Sequence, residues 1–225
     1  MKRIISLMLA LAMIICFGAC GKKEEPAPAD KGPECYVTIV KGDGEFAIAH
    51  QTVNMVDYDN NGSYNIDEVL RAAHAQYGNE ADYASAEGEY GLGLTKLWGD
   101  ESQAFGYYVA HEAAMSLADP VLPGFTVEAF IYQDKVGFSD AYSYIESAVV
   151  MDGILTVHVC KIGFDETWAP VTQDAEGAEV FLDGTSLGTT DAEGKVTYKL
   201  GSEKNFQLTA RGEGLVPAVC EVAIP

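Results

Sequence analysis

Apolar and β-branched residues in this chain come in short runs, and Gly, Pro, Asn or Asp stands between them. Runs at 126–132, 154–162, 178–182, 195–200, 206–210 and 218–224 are five to nine residues long. That is strand length, and such spacing with turn residues between predicts sheets closed by tight turns. Asp183-Gly184 and Asp191-Ala192-Glu193-Gly194 supply two of those turns. The 48% hydrophobic content is enough for one or two cores. The fold expected is mainly β with one or two short helices.

The clearest helical stretch is 66–77, where Ile66, Leu70, Ala73 and Tyr77 recur at helical intervals and Gly78 follows as a stop. Asp67 and Glu68 sit in its first turn, where the helix dipole favours acids. Directly before it, residues 57–68 place Asp57, Asp59 and Asn61 at positions one, three and five. Gly62 falls at six, Ser63 at seven and Glu68 at twelve. A Ca²⁺ loop needs oxygen side chains at that spacing, a sharp turn at the glycine, a backbone carbonyl at seven and a closing bidentate glutamate.

This loop resembles the EF-hand at each ligand position, which implies Asp57, Asp59, Asn61, Ser63 and Glu68 as ligands and Ca²⁺ as the bound ion. It departs at position eight, where Tyr64 replaces the usual aliphatic residue and is expected to loosen the packing beneath the ion. Three carboxylates imply a weak site, on the order of 10⁻⁵ to 10⁻³ M. Asn/Asp/Gly clusters also make ordinary turns, and Asn65-x-x-Glu68 is equally a helix capping box. Upstream, 49–56 alternates polar and apolar residues and reads as a strand. The unit is therefore a half-hand, suited to stabilising a fold rather than opening a groove.

At the start, Lys2 and Arg3, the uncharged run 4–17 and small residues before Cys20 make a secretory signal. The run is short of the ~20 apolar residues needed to span a bilayer. Phe17-Gly18-Ala19-Cys20 resembles the lipobox of bacterial lipoproteins, with Phe17 where Leu is usual, and implies lipidation of Cys20. The charged, Pro-rich stretch that follows reads as a tether. With Lys2 and Arg3 taken from the 14 basic residues, 12 remain against 34 acidic ones, a balance of −22. That charge repels nucleic acid and anionic membrane surfaces and concentrates divalent cations.

After the signal and the lipid site, Cys35, Cys160 and Cys220 remain, an odd number without a C-x-x-C; free thiols are expected. Catalytic motifs fail. Gly184-x-Ser186-x-Gly188 matches the hydrolase elbow but sits between two short strands, with no histidine after His158. His111-Glu112 begins like a zinc-protease helix but has Met115 where the second histidine belongs. The four histidines, His50, His74, His111 and His158, show no pairing at ligand spacing. The aromatics Trp98, Tyr107, Tyr108, Tyr142 and Tyr144 read as sheet core more readily than as a stacking platform.

Tyr107-Tyr108-Val109, a loop, Pro123-Gly124 and the strand at 126–132 are similar to the small β domain of transcobalamin-like cell-surface proteins. Ala110-His111 stand where that family usually has Asn-Gly. Residues 178–200 carry V-x-x-D-G-x-x-x-G-x-T-D-x-x-G and are similar to PEGA or carboxypeptidase-regulatory modules, which implies a structural or adhesive spacer. The organisation expected is a signal peptide at 1–19 and a tether at 20–33. A β-rich domain with the half-hand follows at 34–149, then a β-sandwich at 150–225. The function expected is a non-enzymatic, calcium-binding, lipid-anchored extracytoplasmic surface protein. It would reach the membrane through Cys20 and meet a protein or small-molecule partner. Solute capture by the aromatic segment is the alternative, and a surface hydrolase a third reading.

Overall fold

Why the short runs become sheets is visible in the order of elements. The computed structural model describes residues 32–167 and 169–224. The expected signal peptide, Cys20 and all but the last two residues of the tether lie outside them. The chain enters through β1 (Glu34–Val40) and β2 (Phe46–Asn54), then α1 (Ile66–Tyr77) and a short 3₁₀ turn at Glu80–Asp82. A hairpin, β3 (Ala84–Gly88) and β4 (Gly91–Lys96), leads to β5 (Phe105–Val109), β6 (Glu112–Ala113) and β7 (Thr126–Ile131). β1 and β7 run parallel at the centre of the sheet β2-β1-β7-β5-β6.

Alternation along these strands divides their side chains between two layers. Cys35, Val37, Ile39, Val127, Ala129 and Ile131 face the helix and pack with Ile66, Val69, Leu70 and Ala73. Val40 and Phe130 point the other way. Gly106 on β5 makes room there, since a Cβ would stand 2.2 Å from the tip of the Phe130 ring.

That second face meets the rest of the chain. β8 (Ala141–Met151) and β9 (Ile154–Phe164) form a long hairpin, flanked by β10 (Pro170–Asp174). β11 (Glu179–Leu182) and β12 (Thr185–Thr189) turn at Asp183 and Gly184, whose φ values of 45° and 82° suit the tight hairpin turn expected there. β13 (Lys195–Lys199) crosses over to pair with β9, and β14 (Asn205–Arg211), β15 (Leu215–Val216) and β16 (Ala218–Ala223) complete the chain. Two sheets, β10-β9-β8-β15 and β12-β11-β14-β16, close on Leu155, Val157, Val159, Val180, Phe206 and Leu208. This is the β-sandwich that the turn spacing implied.

The mainly β fold is as expected. The boundary placed at 149/150 falls inside β8, and everything from Gly32 onward forms one compact unit. The reason is the junction core: Val40 and Phe130 pack with Tyr142, Tyr144, Cys160 and Val216. Cys35, Cys160 and Cys220 are free thiols, the first two buried.

Candidate metal centre

Loop 57–65 leaves β2 and folds back on the start of α1. Asn60 and Gly62 take left-handed backbone conformations, φ 60° and 84°. Nothing lies within 4 Å of a Cβ added at Gly62, so the glycine there serves the φ angle and not the space. Asp57 accepts the backbone N–H of Asn61 at 3.1 Å and of Gly62 at 2.8 Å. Asp59 accepts from Asn61 through both its backbone and its side-chain amide, at 3.0 and 2.8 Å. Asn61 Oδ1 accepts the Ser63 N–H at 2.8 Å. The Gly62 N–H, with further bonds from the same turn, holds the Asp57 carboxyl below its ordinary range.

Glu68 reaches back under the loop and is 4% exposed. Its Oε1 accepts the Tyr58 N–H at 2.6 Å and its Oε2 the Asn65 N–H at 3.3 Å. In return Asn65 Oδ1 accepts the Glu68 N–H at 2.9 Å, which completes the capping box. One oxygen each from Asp57, Asp59 and Glu68 lies within 4.8 Å of the others. Of the five residues singled out in the sequence, four lie in the loop and Glu68 in the first turn of α1, and the three carboxylates among them converge. A hard cation takes six to eight oxygens at 2.3–2.6 Å, and carboxylates, backbone carbonyls and waters are its usual donors.

Tyr64 does not loosen this end of the loop. Its ring packs against the helix-side core, and its carbonyl accepts the Val121 N–H at 2.8 Å. Asn65 bridges to Pro120, while Ile66 and Asp67 donate to the carbonyls of Asp119 and Leu117. The turn-rich 116–124 stretch thus holds the loop exit, and β2 enters where a leading helix would stand in a whole hand. The Arg71 guanidinium sits 4.1 Å above the Tyr58 ring and pairs with Glu80 at 2.7 Å, tying the loop to α1.

The aromatic residues are committed to packing, as the core reading expected. Tyr142 and Tyr144 are buried at the junction, with Tyr108 stacked on Tyr142 at 3.7 Å between centroids. The Tyr142 hydroxyl donates to Glu128 at 2.5 Å, and its oxygen lies 2.8 Å from His111 Nδ1. Burial works against a charge on His111, but the hydrogen bond and charge of Glu128 outweigh it and raise its pKa. Trp98 packs on the helix-side core beside His74. His111 lies in the β5–β6 turn, so the zinc-protease helix is absent there, and Ser186 lies on β12 bonded to Glu179.

One arrangement escaped the sequence. His158 and Cys160 alternate onto the same face of β9, and Asp174 on β10 stands directly opposite Cys160. His158 Nε2 is 2.7 Å from Asp174 Oδ1 and 3.6 Å from Cys160 Sγ. The spacing of the histidines bears on histidine pairs alone; His158 instead meets a cysteine and a carboxylate. H-x-C within a strand was the available signal, while Asp174 could be found only through strand pairing. Burial, with the charges of Glu146 and Asp174, pushes the Cys160 thiol up to about 11.

Compared with protein-family models, curated proteins and solved structures, the chain matches none. The resemblances drawn from its motifs thus stand on its own residues.

Proposed function

We propose that this chain is a calcium-binding protein held outside the cytoplasm by a lipid on Cys20, and that its β layers serve as a binding, adhesive or structural module without enzymatic activity. The observation that carries the calcium part is the convergence of Asp57, Asp59 and Glu68 within 4.8 Å in a loop whose left-handed residues fall at positions four and six. Asn61 and the Ser63 carbonyl complete the donor set. The ion's role is to lock the loop to α1 and, through residues 117–121, to the first sheet. The lipid anchor is supported by the residues before and at Cys20 and by the tether that follows them.

A ligand that binds the folded state alone adds RT ln(1 + [L]/Kd) to stability, roughly 2.7 kcal/mol at ~1 mM calcium for a Kd of ~10 µM. For a chain of this size that is a rise of roughly 5–10 °C in Tm. The test is a pair of melts of the full-length chain in detergent, with calcium and with chelator. Equal Tm values in the two would overturn the calcium reading. For the anchor, mass spectrometry of membrane-extracted protein should find an acylated Cys20, and Cys20→Ala should release the protein from the membrane fraction.

A further inference from the structure

We propose that His158, Cys160 and Asp174 form a second metal site, selective for a zinc-class divalent cation and separate from the acidic loop. Its donors are one imidazole nitrogen, one sulfur and one carboxylate, the set that borderline-soft ions prefer and that calcium, which takes oxygen alone, does not.

The spacing fits. A tetrahedral ion with Zn–S near 2.3 Å and Zn–N near 2.0 Å sets S and N roughly 3.5 Å apart. His158 Nε2 and Cys160 Sγ are 3.6 Å apart. The same geometry sets N and O about 3.3 Å apart, so the 2.7 Å His158–Asp174 contact has to open by roughly half an ångström. Asp174 can supply that motion: its side chain is 48% exposed and it ends β10. The other two donors are held on β9, which is paired on both sides, so the sheet holds their spacing.

The site lies at a seam. On this edge of β9 the partner changes from β10, whose Asp174 faces Cys160, to β13, whose Lys195 faces His158. Cys160 is buried while His158 and Asp174 reach solvent, so an ion can enter from the outside with the sulfur at its floor. Two negative charges, Glu146 and Asp174, act at the sulfur. The basic residue opposite, Lys195, is exposed. Three protein donors leave the fourth position of a tetrahedral ion for water or for a donor atom of a bound molecule.

The experiment uses the reduced full-length chain, calcium-loaded, with Co²⁺ as a spectroscopic stand-in for Zn²⁺. One equivalent of Co²⁺ should give a thiolate-to-cobalt charge-transfer band in the near ultraviolet, and added Zn²⁺ should bleach it. Cys160→Ser should remove the band, and His158→Gln and Asp174→Asn should each weaken Co²⁺ binding at least tenfold. Cys35→Ser, Cys220→Ser and Glu68→Gln should keep it, the last separating this site from the calcium loop. No band in the wild-type chain at about 0.1 mM Co²⁺, or a band that survives Cys160→Ser, overturns the proposal. Because Cys160→Ser could disturb the junction core, the exposed Asp174→Asn variant, melting as wild type without metal, provides the independent check.

Discussion

The buried ring of His74 accepts the backbone N–H of Trp98 at 3.1 Å through Nε2, while its Nδ1 lies 2.7 Å from the Leu70 carbonyl. Nε2 must be an unprotonated acceptor and Nδ1 the donor, so the neutral tautomer is the one that fits. Protonation would turn Nε2 into a donor aimed at another donor. Burial accordingly lowers the His74 pKa from 6.5, against a smaller upward pull from the Leu70 hydrogen bond. The unfolded chain then takes up a proton before the folded one does. This contribution to stability is complete above pH 6.5 and is lost as pH falls from there through the folded value.

Melts in chelator between pH 7.5 and 5 should show this loss, and His74→Gln should flatten the slope. His50, also lowered by burial, adds to the slope, while His111, raised by Glu128, opposes it. Both are unchanged in the variant, so the difference between the two profiles isolates His74. At pH 7.5 the variant should lose about 1–3 kcal/mol by leaving a buried partner unpaired. Parallel profiles would rule this account out.

Trp98 also explains a glycine. Gly78 ends α1 as expected, but with φ −143° and ψ −125° rather than the left-handed geometry usual at that place. A Cβ on it would lie 2.6 Å from Trp98 Cη2. Gly78→Ala should therefore cost roughly 1–3 kcal/mol by overpacking, and should shift the near-ultraviolet circular dichroism from Trp98. Combined with Trp98→Leu, most of the Gly78→Ala penalty should vanish, and a double-mutant cycle with no coupling would refute the contact.

What could be read in advance was local. Ile66, Leu70, Ala73 and Tyr77 mark α1 by spacing alone, and Asp183-Gly184 marks the β11–β12 turn. The convergence of Asp57, Asp59 and Glu68 was visible for the same reason, the three lying within twelve residues of one another. The parallel pairing of β1 with β7 was not visible, because it joins segments ninety residues apart across a helix and a hairpin. Nor was the grip of 117–121 on Tyr64, Asn65 and Ile66. His74 looked like one polar residue on a helix, since only the tertiary fold brings Trp98 to its second nitrogen. Asp174 joins His158 and Cys160 through strand register, which short polar-apolar alternation leaves open.

Aromatic stacking at the junction gives a further test. The Tyr142 hydroxyl bridges His111 and Glu128, and Tyr144 stacks on His111 at 4.4 Å. Tyr142→Phe should keep the ring packing and remove the bridge, costing about 1–3 kcal/mol because Glu128 accepts in partly buried surroundings. The His111 resonance followed by NMR should still titrate above 6.5 in the variant, since its contact with Glu128 is direct at 3.3 Å. Glu128→Gln should instead bring it down. A His111 pKa indifferent to Glu128→Gln would show that the pairing does not exist in solution.

Glu68 serves two purposes, and substitution can separate them. As the third capping residue it accepts the Asn65 N–H; as the last loop residue it brings a carboxylate to Asp57 and Asp59. A glutamine can still accept through its amide oxygen, and Gln is an accepted partner in a capping box. One amide oxygen cannot replace both carboxylate oxygens, which take the Tyr58 and Asn65 N–H groups, so in chelator Glu68→Gln should cost about 1–3 kcal/mol. It should also lose the calcium-dependent rise because one ligand charge is gone. Asn65→Ala should keep that rise. Its side chain is committed to the Glu68 N–H, so its loss should cost ~1 kcal/mol at any calcium level and leave the calcium increment nearly whole. Calorimetric titration alongside the melts would assign each effect. If Glu68→Gln kept its calcium response, the buried carboxylate would serve to hold the Tyr58 and Asn65 N–H groups and not an ion.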